Sequence, residues 1–421
     1  MKKTTELLLI SVLLTGCAAP AAETGESAEP VKTQEASETP TAEPAETPVP
    51  EATPDPEFLQ EAIGQLERTL DPFYNDGDEL PQIEDAEIVW SIVSGNAVIE
   101  DNVIRKTENS AEYEPIVLSA SANGFQLDHS FGNILLLDPY VGYVISYFSE
   151  RTNEPETMKL AYTYNGVQWF AMNGDRAVLR ATVGTGRLRD PAIFRKKDGT
   201  FAVCATQGYE TDAIYLYDSQ DLTSFTDQRL LKVNRPPLSE EQAWAPESFY
   251  DRTLDQYVIY WSSVVDEGMF YNLSGDLQYA TEPQRLLNPG YVIIDGTMIK
   301  CGADYAIVFK DERYPMEDYS TLISGYSEDG WTDFKEFSQP ISQNQSEGPM
   351  IMPDLENEGY YVFYDDYTRF RFHALYTPNF RTRYYETVPE EIMTIPLDSP
   401  AHSHAIPVTQ KEMDRVVNYW H

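Results

Sequence analysis

An internal repeat constrains this chain more than any single motif. Five segments read alike: 142–148 (GYVISYF), 200–206 (TFAVCAT), 256–262 (QYVIYWS), 304–310 (DYAIVFK) and 359–365 (GYYVFYD). Each is rich in aromatic and β-branched residues, the side chains that suit a pleated, buried strand. Each is followed by a second strand, at 158–162, 213–217, 269–273, 321–325 and 372–376. A period of roughly fifty residues of short antiparallel strands predicts the blades of a propeller.

A further strand precedes four of the segments and carries an acid near its start: 190–194 (DPAIF), 245–249 (APESF), 295–299 (DGTMI) and 347–351 (EGPMI). The N-terminal copy lacks this strand, and 402–407 (HSHAIP) supplies it from the other end of the chain. The last blade is therefore expected to join both ends, which closes the ring and removes open sheet edges. Thr409 and Glu412 then form a capping box for a final helix through Val416, Val417 and Trp420.

The residues before the repeat divide into three. Lys2 and Lys3 precede an apolar run, 7–14, that is too short to span a membrane, and Leu14-Thr15-Gly16-Cys17 follows. This resembles a bacterial lipoprotein signal (1–17), which implies lipidation at Cys17 and a place on the extracellular face of a bacterial membrane. Residues 18–56 are almost wholly Ala, Glu, Thr, Pro and Ser, the composition of a disordered tether. Between 57 and 138, a helix-period set from Phe58 to Leu70 leads into short alternating strands, such as 86–92 (AEIVWSI) and 115–120 (PIVLSA). This part reads as a β-sandwich and resembles the reduced immunoglobulin-like module of some bacterial glycosidases. The fold class is all-β, with the propeller over 139–421. Cys204 and Cys301 are expected to be buried free thiols, since two cysteines make neither a disulfide framework nor a metal cluster.

With 30 Lys and Arg against 69 Asp and Glu, the formal charge is -39. Such a surface repels nucleic acid and anionic membranes, so neither is expected as a partner beyond the lipid anchor. It suits a neutral substrate such as a sugar polymer, bound by a monomer.

First strands line the central channel of a propeller, so Asp190, Asp295 and Glu347 are expected at equivalent positions around one mouth. Three carboxylates so placed repel one another, and at least one should titrate high. The motifs Arg189-Asp190-Pro191, Trp244-Ala245-Pro246-Glu247, Ile294-Asp295-Gly296 and Ser346-Glu347-Gly348-Pro349 recur at blade spacing, with His402 opening the last strand. Together they resemble glycoside hydrolase family 43 over about 139–421.

The resemblance implies an inverting glycoside hydrolase acting on plant-type polysaccharide. Asp190 would be the general base, Glu347 the general acid, and Asp295 the residue that orients the acid and raises its pKa. Inversion needs about 6.5–9.5 Å between base and acid to admit a water. Asn165-Gly166-Val167-Gln168-Trp169 favours an α-L-arabinofuranosidase, with β-xylosidase, arabinanase and galactosidase as near alternatives. Arg189, Trp244, Glu247 and Lys310 are candidate substrate contacts. Trp244 is equally suited to a blade core, Glu247 to a structural role, and Lys310 to a solvated turn with Asp311 and Glu312.

No cofactor is required, and His402 occupies the family position that helps hold a calcium or sodium ion through water. Ala401 and Ser403 depart from the usual neighbours of that histidine. A noncatalytic glycan-binding lipoprotein and a propeller phosphorylase are the competing readings. The channel segments offer little for phosphate beyond Arg189 and His402.

Overall fold

The computed structural model describes residues 55–328 and 330–421. Cys17, the leader 1–17 and nearly all of the 18–56 tether lie outside them.

Helix α1 (Pro56–Thr69) starts where Asp55 accepts the Glu57 N–H at 3.0 Å and Pro56 fills the first turn. Its buried face, Ala62 and Leu66, shares a core with Trp90, Ile116, Leu118 and Phe131. Of the sandwich expected here, the described residues contain a five-stranded sheet and a separate two-stranded hairpin, Ala97–Glu100 with Val103–Lys106. One sheet pairing, Phe73–Asn75 on Phe131–Leu137, is parallel. The helix completes the apolar core that so few strands leave open.

The described residues from Tyr140 onward form five further sheets in the order expected of blades. Their inner strands are Arg189–Arg195, Trp244–Asp251, Ile293–Cys301, Ser346–Pro353 and Pro400–Thr409. These define blades one to five. Blade five is built from both ends of the ring: Pro400–Thr409 pairs antiparallel with Tyr140–Ser149, so the chain closes on its own ladder.

The repeat segments are the second strands, and their near-continuous apolar character has a direct cause. Each is buried on both faces, with alternate residues entering different cores. In blade two, Tyr257, Ile259 and Trp261 pack with blade one, while Val258 and Tyr260 pack with blade three. The same alternation gives a core at every blade junction.

Helix α2 (Gln410–Trp420) starts at the expected capping box: the Glu412 N–H donates to Thr409 Oγ1, and the Thr409 N–H to Glu412 Oε2 at 2.8 Å. Glu412 also receives the buried Arg195 guanidinium, at 2.6 Å on Oε1 and 3.0 Å on Oε2, and the Tyr113 hydroxyl at 2.8 Å. One carboxylate thus ties the C-terminal helix to blade one and to the N-terminal module. Cys204 is buried, Cys301 is half-buried, and both are free.

Candidate active site

Each inner strand carries one extra residue at the same point of its ladder. The register slips between Arg189 and Ala192, Trp244 and Glu247, Ile294 and Thr297, Glu347 and Met350, and Ala401 and Ser403. Within each slip lies a residue in the left-handed region: Asp190 (φ 47°), Ala245 (43°), Asp295 (54°), Gly348 (54°) and His402 (38°). Four of the five are not glycine, and each such backbone costs on the order of 1 kcal/mol. A left-handed residue repeated five times at one level of a channel marks where the ring re-aims its side chains.

The phase differs from the expected equivalence. Asp190 and Asp295 occupy the left-handed position itself, whereas Glu347 stands one residue earlier, aligned with Arg189, Trp244, Ile294 and Ala401. Gly348 takes the left-handed position in blade four. A Cβ there would stand 3.0 Å from the His402 Cα.

Short links join these carboxylates. Asp295 Oδ2 accepts the Gly348 N–H at 3.3 Å, beside Glu347. His402 Nδ1 lies 3.6 Å from Asp190 Oδ1, and the His402 N–H donates to Asp365 Oδ2 at 2.7 Å. Asp365 is the ladder partner of Glu347. Asp190, Asp295 and Glu347 therefore share one end of the ring.

Burial decides the electrostatics. It is the main force pushing Asp295 up to about 6, with the Glu347 and Asp190 charges adding to it against His402 and Lys310. Burial likewise pushes Asp365 well above the carboxylate range, helped by Glu347. Its Oδ1 has no hydrogen-bond partner. Two residues deeper, burial takes Glu247 up to about 7 although the Tyr260 hydroxyl donates to it. Burial and the charge of His402 take His404 down to about 4.

The expected substrate contacts separate on inspection. Glu247 is 4% exposed, and its carboxylate accepts the Tyr260 hydroxyl. Trp244 is half-buried at the mouth, not in a blade core; its Nε1 donates to Tyr209 O at 2.8 Å. Arg189 binds Glu150 at 2.5 Å and lies 4.8 Å from both the Phe148 and Tyr209 ring centroids. Lys310 and Asp311 are both 2% exposed and so form no solvated turn; Lys310 donates to Glu347 Oε2 at 2.9 Å.

Asp365, Ser262 and Thr206 escaped the sequence reading, although each ends a repeat segment. A cavity of about 640 Å³ lies elsewhere: it runs from Glu247 and His404 toward Leu70–Phe73, and none of Asp190, Asp295 or Glu347 lines it. His402 directs Nδ1 to Asp190, and among the described residues no three His, Cys, Asp or Glu side chains converge at ligand spacing.

Residues 138–414 match a family described as "Probable glycosyl hydrolase domain", related to glycoside hydrolase family 43. An α-L-arabinofuranosidase of Bifidobacterium longum subsp. longum is 24% identical over 255 residues, which are 50% of this chain and 24% of that protein. This chain thus spans about a quarter of that relative. Among solved structures, a thermostable family-43 glycoside hydrolase aligns at 12% identity and TM-score 0.41, covering 76% of this chain and 90% of its own. A xylan β-1,4-xylosidase from Bacillus halodurans C-125 aligns at 12% identity and TM-score 0.40, covering 53% and 46%. With five blades closed by their own ends and a family match across nearly all of them, this chain belongs to the family-43-related glycosyl hydrolase domains.

Proposed function

We propose that the enzyme hydrolyses with inversion and that α-L-arabinofuranosides of plant-type polysaccharide are its substrates. Asp190 takes a proton from water as the water oxygen attacks the anomeric carbon. The glycosidic C–O bond breaks, and Glu347 gives its proton to the departing oxygen. Asp295 holds the acid's backbone through the Gly348 N–H.

The observation that carries this reading is the repeated bulge, which brings three acids distant in sequence to one strained level of the ring. The sugar assignment rests on the sequence 165–169 and on the B. longum relative. β-Xylosides and arabinan are the near alternatives. A panel of 4-nitrophenyl arabinofuranoside, xyloside and galactoside, with arabinan, tests it. Release from the arabinofuranoside above the others supports it; release from none, with arabinan bound intact, supports glycan capture instead.

We further propose that a lipid on Cys17 anchors the protein to the extracellular face of a bacterial membrane. Globomycin should then block its processing, and unchanged gel mobility contradicts the anchor.

A further inference from the structure

The last residues of the five repeat segments, Thr206, Ser262, Lys310, Asp365 and Phe148, occupy one structural position: each is the ladder partner of the residue just before the bulge. Three of them follow one rule. Thr206 Oγ1 accepts the Ala245 N–H of the next blade at 2.8 Å, Ser262 Oγ accepts that of Asp295 at 3.1 Å, and Asp365 Oδ2 accepts that of His402 at 2.7 Å. The position pins the neighbouring bulge.

Lys310 breaks the rule at the blade that bears the acid. An ammonium only donates, so it cannot take the Gly348 N–H, which goes to Asp295 instead. Lys310 reaches past the backbone to Glu347 Oε2 at 2.9 Å. It is otherwise held by an ion pair with Glu312 at 2.8 Å and lies 5.0 Å from the Tyr367 ring centroid. At 2% exposure it has no open path to a sugar hydroxyl.

We infer that Lys310 is a positioning residue that sets which oxygen of Glu347 carries the catalytic proton; the inference rests on Glu347 being the acid. Of the two oxygens of a neutral carboxyl, the carbonyl oxygen is the better acceptor. A donor fixed on Oε2 therefore keeps Oε2 as the carbonyl and leaves the proton on Oε1. That proton passes to the glycosidic oxygen as the C–O bond breaks, its electron pair going to the oxygen. Lys310 then meets the new carboxylate charge without moving.

The test compares leaving groups. A dinitrophenyl glycoside departs without a proton, whereas an unactivated oligosaccharide requires one. Both are made with the sugar that the wild-type enzyme prefers. Lys310→Met should lower kcat about 10²-fold on the oligosaccharide, leave the dinitrophenyl glycoside within about threefold, and barely change KM. Lys310→Arg, which restores a donor, should recover part of the loss and is the variant to use if Lys310→Met does not fold.

Equal losses on both substrates, or a raised KM with kcat intact, overturn the inference and make Lys310 structural or substrate-binding. If Glu347→Gln leaves the oligosaccharide rate intact, the acid assignment fails and the inference with it. If Glu347→Gln abolishes that rate while the Lys310 variants show no leaving-group dependence, only the inference fails.

Discussion

Asp295 accepts the backbone N–H of Gly348 at 3.3 Å, so the third blade's carboxylate braces the strand that presents Glu347. Asp190 reaches the same level from blade one, opposite His402. Glu347→Gln and Asp190→Asn should each lower kcat on an unactivated substrate by about 10²–10⁴-fold. Both are nearly isosteric, and neither side chain is fully buried, so melting temperatures should stay close to wild type. Kinetics and thermal melts check this; near-wild-type turnover in either variant refutes its assigned role.

Glu247 provides a pH test. In the unfolded chain it titrates near 4.5; in the folded protein, burial moves it to about 7. Between those values the folded state holds the extra proton, so this group's contribution to stability falls as pH rises through that window. Glu247→Gln stays neutral throughout and can still accept from Tyr260. Its stability relative to wild type should climb between pH 5 and pH 8, by on the order of 3 kcal/mol. Urea titrations at several pH values measure it; a difference that does not change with pH contradicts the burial account.

Arg195 and Glu412 form a buried ion pair joining α2 to blade one. Removing one partner strands the other charge in the interior, which typically costs about 3–5 kcal/mol. Arg195→Met should lower unfolding stability by that amount with little direct effect on the catalytic groups, since Arg195 lies at the far end of its strand. Denaturant unfolding measures the loss. A change below about 1 kcal/mol would mean that the pair does not secure the ring closure.

Much of this was legible because burial leaves a plain trace. A strand packed on both faces must be apolar throughout, so the second strands repeated visibly, and the acids beside them marked the inner strands. The chain-end closure followed from one missing strand and one spare. The bulge was not legible, because its left-handed residue is Asp, Ala, Asp, Gly and His in turn, with no shared side chain to reveal the phase. That is why Glu347 was expected one position from where it stands. Asp365, Ser262 and Thr206 were visible as segment ends, but a hydrogen bond to the next blade is a tertiary fact that strand periodicity does not encode. The parallel pairing of Phe73–Asn75 was hidden for the same reason.

The central claim is that an acid and a base act on opposite faces of the sugar with a water molecule between. Proton NMR of the anomer first released from an aryl α-L-arabinofuranoside, recorded before mutarotation, tests it most directly. Initial β-L-arabinofuranose is the predicted product. Initial α-L-arabinofuranose would mean a covalent intermediate and would contradict the roles given to Asp190 and Glu347.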